Sequence, residues 1–423
     1  MANARKLAVD ALIKVNTDKG YSNIVLNNIF KENTSLSAED KALVSALFYG
    51  VLDRKITLDY VLNSLTKTPF KKVNYLTAEV MRVGLYQIMY MDRIPNSAAV
   101  DEAVKLVKKS RESRNAGFVN AVLRAAIRKD QLLPMGESIK ELSIRYSVPE
   151  WIINEFILSY GKETAIELLK EFLKVPTVSL RVNTLRISKE ALVKELIDAG
   201  VKCVAHEKLP AVMLESGIDT EKSEWYKKGL FHTEDLSSQY AAATVSAKKG
   251  ERVLDMCSAP GGKSFYMAED MENKGEIVAG DIYAKRVELI SNGAKRLGLD
   301  IIKPAVADAT IYDEKLGKFD AILCDVPCSG LGTIGRKPDL KYKPITDFNE
   351  LEAIQQKILE NAVNYLKENG RIVYSTCTLR KNENEQNIEK FLSEHKEFKL
   401  EYSHTFMPHI DGTNGFFVAL LSR

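Results

Sequence analysis

Val253-Leu254-Asp255-Met256-Cys257-Ser258-Ala259-Pro260-Gly261-Gly262-Lys263-Ser264 is the stretch on which the reading of this 423-residue chain turns. An apolar pair and an acid lead into a Pro-Gly-Gly turn, and helical sequence follows. That is how a strand passes through a glycine-rich loop into a helix. The glycines permit close approach of backbone to a ligand, and the turn sets that ligand at the positive end of the helix. The pattern matches neither the phosphate-binding P-loop nor the dinucleotide G-x-G-x-x-G. For a bare Gly-Gly the competing reading is an ordinary strand-to-helix turn.

The sequence on either side of this turn favours the ligand loop. From about Leu236 onward short apolar strands alternate with longer helical patterns, as in a parallel sheet with crossover helices. The strands are Arg252 to Asp255, Glu276 to Asp281, Ile301 to Val306, Asp320 to Asp325 and Gly370 to Ser375. Asp281 closes the second of them, 19 residues after Gly262, where doubly wound folds place an acid that accepts hydrogen bonds from ribose hydroxyls. Asp308, after the third, is either a helix cap or an adenine contact. Acids or turns at three successive strand ends exceed what capping explains, because open α/β sheets bind ligands along that edge. A cofactor with adenine and ribose but no pyrophosphate suits the loop, and S-adenosyl-L-methionine fits.

Two cysteines stand at later strand ends, Cys328 in Asp325-Val326-Pro327-Cys328-Ser329-Gly330 and Cys377 in Tyr374-Ser375-Thr376-Cys377-Thr378. An isolated cysteine is ordinarily a small buried hydrophobe. Zinc at Cys324 and Cys328 is disfavoured, because no second pair or nearby His completes a ligand set; no metal is expected. Covalent chemistry gives thiols a use. Carbon 5 of cytosine becomes enamine-like only after a nucleophile adds to carbon 6, and a thiolate can add there. A free thiol has a pKa of about 8.5, so the site has to favour the thiolate or couple deprotonation to base binding. Addition also needs a donor at ring nitrogen 3, and Asp325 is placed to serve if burial lets it carry a proton. Cys328 is the candidate second ionisable group for the later elimination.

Residues 1 to 133 carry 21 basic and 13 acidic side chains, whereas the remainder carries 39 and 44, so the small overall net charge of +3 hides a basic amino-terminal third. From Arg5 to about Lys129 apolar residues recur three and four apart, as in Val44, Leu47, Phe48 and Val51, which predicts a helical bundle. Ser37 with Asp40 reads as an N-terminal cap. Lys129 to Pro149 reads as a linker with a short helix, and two helical stretches follow. Strand-like Val178 to Asn183, a helix near Lys189 to Ala199, strands near Val201 to Ala205 and Ala211 to Leu214, and Gly229 to His232 then suggest a small α+β unit. Length and composition, with 45% hydrophobic residues, exclude a single small module and long disordered tracts. Five cysteines imply no disulfide framework. With no signal-peptide core and no run of 18 apolar residues, a cytoplasmic location without membrane partners is expected.

Taken together, these motifs resemble the RNA cytosine-C5 methyltransferase superfamily, and their arrangement resembles its bacterial RsmB (Sun/Fmu) branch, which acts on 16S ribosomal RNA. Ser97 to Val104 and Gly117 to Arg124 resemble the RNA-binding NusB domain. The resemblance covers the whole chain and is strongest from Gly229 to the end. It implies a multidomain protein: an all-α NusB-like helical bundle over 1–133, a linker with a small α+β subdomain over 134–235, and an α/β Rossmann-like class I methyltransferase domain over 236–423. Carried over by motif, Cys257, Ser258, Ala259, Pro260, Gly261, Gly262 and Lys263, with Asp281, Asp308 and Asp325, bind S-adenosyl-L-methionine. Cys377 is the nucleophile and Cys328 assists product release. DNA cytosine methyltransferases use a Pro-Cys nucleophile, so the chemistry alone admits Cys328; the resemblance decides for Cys377.

The chain departs from the family pattern at Ser258 and Ser264, where Ala and Thr are common. Leu379 to Glu385 lacks the usual Pro or double acid, and Tyr342 stands where Trp is frequent. These last departures bear on flanking RNA contacts, for which Arg336, Lys337 and Lys341 are the phosphate-binding candidates, with a solvated basic loop as the alternative. The expected partner is 16S rRNA, free or in a partly assembled small subunit. A tRNA cytosine methyltransferase and a noncatalytic RNA-binding assembly factor are the rivals. Methylation of exocyclic amines is disfavoured, since Asp325-Val326-Pro327-Cys328 replaces the Asn/Asp-Pro-Pro-aromatic motif of that chemistry.

Overall fold

The computed structural model describes residues 4–18, 22–129, 131–215, 218–342 and 348–423. The chain divides into two compact units. One comprises the residues up to Lys174 and a returning segment that starts at Ile334; the other comprises Val175–Thr333 and the carboxyl-terminal part of the chain.

In the first unit the apolar periodicity becomes helices at Ala4–Asp18, Ser22–Glu32, Ala38–Asp53, Lys55–Leu65, Tyr75–Tyr90, Asn96–Lys108 and Ala116–Ile127. Ser37 caps the third, its hydroxyl accepting from the Asp40 amide at 3.1 Å. Leu12, Leu47, Phe48, Leu62, Met81 and Leu123 are fully buried in one continuous core. Ile139–Tyr146, Glu150–Tyr160 and Lys162–Glu171 add three helices, the first opened by a Ser138/Glu141 capping box.

The segment Ile334–Tyr342 packs into this unit, and that overturns one expectation. Lys341 is only 1% exposed, and its Nζ donates to Asp53 Oδ1 at 2.5 Å and to the Asp53 carbonyl at 3.2 Å. Burial pulls the Lys341 ammonium below its usual pKa despite the opposing charge of Asp53. A lysine so enclosed cannot also meet a phosphate. Asp339 of the same segment accepts from Ser22 Oγ at 2.7 Å, whereas Lys337 stays exposed.

In the second unit β1 (Val178–Val182), β2 (Cys203–Ala205), β3 (Ala211–Leu214) and β4 (Phe231–Thr233) form an antiparallel sheet in the order β2-β3-β1-β4. The helix Lys189–Asp198 covers one face through Leu192 and Leu196, which join Leu180, Val182 and Phe231 in a core. Arg181 of β1 is fully buried, and its Nε donates to Glu269 Oε2 at 2.8 Å with the guanidinium stacked 3.6 Å from the Tyr266 ring centre. Both partners lie on the helix Gly262–Asp270, so the small sheet is anchored to the helix that follows the glycine loop.

The larger sheet contains β5 (Arg252–Asp255), β6 (Glu276–Asp281), β7 (Ile302–Val306), β8 (Phe319–Asp325), β9 (Leu366–Thr376), β10 (Lys399–Phe406) and β11 (Phe416–Ser422), ordered β10-β11-β9-β8-β5-β6-β7. Strands β5 to β9 are parallel, and β11 lies antiparallel between β9 and β10. Successive residues feed opposite cores: Val253, Ile277, Ala321 and Val373 face one layer, and Leu254, Val278, Ile322 and Tyr374 face the other. Burial on both faces explains why these strands read as near-continuous apolar runs. The order reverses between β5 and β8, and the crevice at the carboxyl ends of strands at such a reversal is where this class of sheet holds ligands.

Candidate active site

The glycine loop leaves β5 at that reversal. Gly261 adopts φ +111°, and a Cβ there would lie 2.5 Å from the Phe265 ring; one on Gly262 would lie 2.7 Å from Glu234 Oε1. Neither position accommodates a side chain without displacement. The Ser258 amide donates to the Gly280 carbonyl at 2.7 Å, while Ser258 Oγ meets Ser264 Oγ at 2.9 Å and the latter donates to Asp255 Oδ2 at 2.7 Å. Asp255 is fully buried, and its other oxygen has no partner among the described residues. Burial pushes its carboxyl up to about 6, with the Ser264 hydroxyl pulling the other way.

The remaining acids line the same edge. Arg286 bridges the loop to β6, with Nη2 donating to the Ala259 carbonyl at 2.9 Å and Nη1 standing 3.2 Å from Asp281 Oδ2. Asp281 Oδ1 also accepts from the Tyr283 amide at 3.0 Å. Asp308 accepts from the Thr310 hydroxyl at 2.7 Å and amide at 2.9 Å, bonds that hold its carboxyl below the usual range. Turn capping and ligand contact are not exclusive here. Asp308 lines a cavity of about 230 Å³ with Leu254, Met256, Gly280 and Ala309 at the ends of β5, β6 and β7.

Asp325 meets a cation that its sequence reading did not include. Its Oδ2 accepts from Lys263 Nζ at 2.7 Å and its Oδ1 from Ser375 Oγ at 2.8 Å. Both oxygens accept from these neighbours, so the Lys263 ammonium lies against the carboxyl that was expected to serve ring nitrogen 3. Burial opposes the Lys263 charge, but Asp325 and Glu234 outweigh it and the ammonium pKa is raised.

The two thiols converge from adjacent strands. Cys328 lies just beyond β8 and Cys377 just beyond β9, with the sulfurs 3.2 Å apart and the Cys377 amide donating to Cys328 Sγ at 3.3 Å. The hydrogen bond to Cys377, and then burial, push the Cys328 thiol well above its usual pKa. Cys324 points instead into the core, 3.7 Å from Met256 Sδ. Burial also raises the Cys257 thiol. Among the described residues no group of His, Cys, Asp and Glu forms a metal-binding cluster, and no helix is long and apolar enough to cross a membrane.

Cys257 to Lys263, Asp281 and Asp325 thus join in one bonded array, with Asp308 at its far wall and the thiols beyond Ser375. Sequence reading gave no role to Asp255, although it sits inside the deciding motif, nor to Arg286 or Ser375. It tied the departures in the polar run after Thr378 to flanking RNA contacts, whereas Glu383 and Asn384 of that run are fully buried.

A model of the 16S rRNA methyltransferase RsmB/F family matches residues 242–422, a NusB family model matches 2–128, and an RsmF/B-like ferredoxin-like domain model matches 148–230. Over 444 aligned residues the chain is 35% identical to the protein named probable ribosomal RNA small subunit methyltransferase B of Bacillus subtilis (strain 168), covering 100% of this chain and 99% of that relative. The chain belongs to the ribosomal RNA small subunit methyltransferase B family. A relative from Proteus mirabilis (strain HI4320), named ribosomal RNA small subunit methyltransferase B, is 30% identical over 100% of this chain and 99% of its own length. The crystal structure of PH0851 has the same fold with a TM-score of 0.84 at 27% identity, covering 100% of this chain and 99% of that one. The chain is therefore an rRNA methyltransferase of the RsmB/Sun type, with the helical, small α+β and Rossmann-like parts that its sequence predicts.

Proposed function

We propose that this rRNA methyltransferase transfers a methyl group from S-adenosyl-L-methionine to carbon 5 of a cytosine in 16S rRNA through a covalent adduct of Cys377 with carbon 6. The observation that carries the reading is the pair of free thiols 3.2 Å apart at neighbouring strand ends, coupled to the glycine loop through Lys263, Asp325 and Ser375. A noncatalytic binder has no use for that arrangement.

The donor set fits the cofactor. Each carboxylate oxygen offers two acceptor positions, so Asp281 retains capacity for ribose hydroxyls while it holds Tyr283 and Arg286. The cavity beside Asp308 is mostly apolar in its lining, as a purine requires. The loop from Cys257 to Lys263 offers the amino end of a helix, and the buried Asp255 oxygen that has no partner among the described residues adds a negative pole beneath it. When bound, the cofactor supplies an electrophilic methyl group on a sulfonium.

The protein's part is to make carbon 5 nucleophilic. The Cys377 thiolate adds to carbon 6 while ring nitrogen 3 takes a proton, which Asp325 relays from Lys263. Carbon 5 then accepts the methyl group; its proton passes to solvent, the proton on nitrogen 3 returns through Asp325 to Lys263, and cleavage of the carbon–sulfur bond releases the Cys377 thiolate and restores the ring double bond. The hydrogen bond to Cys377 and burial keep the proton on Cys328, and its S–H stabilises the Cys377 thiolate both before addition and as it departs. The base must leave its stack to reach these groups, so a loop or an incompletely assembled subunit suits better than duplex RNA.

The test is incubation of the enzyme with labelled S-adenosyl-L-methionine and either 16S rRNA or tRNA, followed by nucleoside mass spectrometry. Label in 5-methylcytidine from 16S rRNA alone is the expected result. Label in tRNA alone would move the substrate class, and bound but unlabelled RNA would favour the assembly-factor reading.

A further inference from the structure

Glu383 and Asn384 are fully buried beyond Cys377, at the start of the helix Glu385–Glu394. Glu383 Oε2 accepts from the Ser329 amide at 2.9 Å and its Oε1 from the Ser329 hydroxyl at 2.5 Å. Ser329 is the residue after Cys328. The residue before the Pro327–Cys328 bond is held as well: Gln355 Nε2 donates both to the Pro327 carbonyl and to Glu383 Oε2, each at 2.9 Å. Arg380 Nη1 stands 3.3 Å from Glu383 Oε1. Asn384 treats the other thiol the same way. Its Oδ1 accepts from Thr376 Oγ1 at 2.5 Å and its Nδ2 donates to the Thr378 carbonyl at 3.0 Å, so both neighbours of Cys377 are fixed. Ser329 Oγ and Thr378 Oγ1, 2.7 Å apart, close the circuit between the two loops.

Neither strand alone sets the sulfur–sulfur distance, because each cysteine lies past the end of its strand. A buried carboxylate accepting from four donors is expensive to build and gains nothing for the sheet, whose ladders are complete without it. We infer that Glu383, together with Asn384, is a positioning residue for the methyl-transfer reaction: a clamp that holds the Cys328 loop against the Cys377 loop and so fixes the spacing of the two thiols. The inference rests on the proposed use of both thiols in one reaction, and it assigns a function to the polar run that follows Thr378.

Glu383→Gln keeps the shape but turns an amide donor toward groups that themselves donate. Its kcat for methyl transfer is expected to fall about 100-fold, the scale set by misplacing a reacting group by about 1 Å, with KM for RNA and for S-adenosyl-L-methionine within about twofold. Ser329→Ala removes only the hydroxyl bonds of a half-buried loop residue, and should lower kcat about 3- to 10-fold, as for loss of one hydrogen bond. If Glu383→Gln does not fold, Ser329→Ala decides. A second readout is independent of RNA: the pH profile of iodoacetamide alkylation at Cys377, followed by peptide mass spectrometry, should shift when the clamp is loosened. Unchanged kcat with a profile that overlays wild type, or a loss confined to KM, would overturn the clamp. A shifted profile in a protein that forms no RNA adduct would instead retain the clamp and remove the covalent mechanism.

Discussion

Lys263 Nζ stands 2.7 Å from Asp325 Oδ2, and this bond joins the first turn of the helix after the glycine loop to the carboxyl end of β8. Through Ser375 it continues to β9, one residue short of the Thr376–Cys377 turn. The glycine loop is therefore tied by side chains to the end of the strand that leads to Cys377.

Lys263→Met leaves Asp325 without its cation. Removing one partner of a buried pair costs about 3–5 kcal/mol, and because Asp325 is 26% exposed a loss of about 2–3 kcal/mol is expected here. Lys263→Met/Asp325→Asn should recover part of that loss in urea unfolding while remaining inactive. A double variant as unstable as the single one would show that the pair does not carry the coupling.

Asp255 predicts a pH dependence of stability. Its carboxyl rises from 3.8 to about 6 on folding because of burial, with Ser264 opposing. Between those values the native state binds the proton and the unfolded chain does not, so this group's contribution is fully present below about pH 4 and is lost as pH rises through about 6. Asp255→Asn should flatten the fall in melting temperature over that window in the cofactor-free protein. An unchanged slope would contradict the burial of an uncompensated acid under the loop.

Lys341 separates stability from RNA affinity. Lys341→Met strips the partner from Asp53 inside the helical unit, so the melting temperature should fall while the Kd for 16S rRNA fragments stays within about twofold of wild type, since a lost phosphate contact would also reduce the salt slope by about one. Weakened binding with a smaller salt slope and unaltered melting would restore the phosphate role.

The parallel strands, the glycine loop and the acids at strand ends were legible because each follows from local pattern: apolar runs buried on both faces, a turn needing glycine, an acid at a fixed interval. The antiparallel pair β10 and β11 went unread, although Phe416 to Leu421 is an apolar run. β10, Lys399 to Phe406, is mostly exposed at the sheet edge and carries no apolar run, so nothing in the local sequence paired it with β11. Lys341 was read as a surface cation because charge alone carries no sign of burial. The partner that buries it, Asp53, is 288 residues away. Asp325 was placed correctly at its strand end, but its pairing with Lys263, 62 residues away, depends on their meeting in space. Glu383 and Asn384 look like solvated polar residues until Ser329 and Thr378 are brought to them.

The most direct test of covalent catalysis is a denaturing gel of Cys328→Ala, Cys377→Ala and Cys328→Ala/Cys377→Ala, each incubated with 16S rRNA and S-adenosyl-L-methionine. The geometry predicts a denaturant-stable protein–RNA band in the single variant that vanishes in the double. A band appearing instead in Cys377→Ala, or none in any variant that still binds RNA, would contradict the assignment of Cys377 as nucleophile.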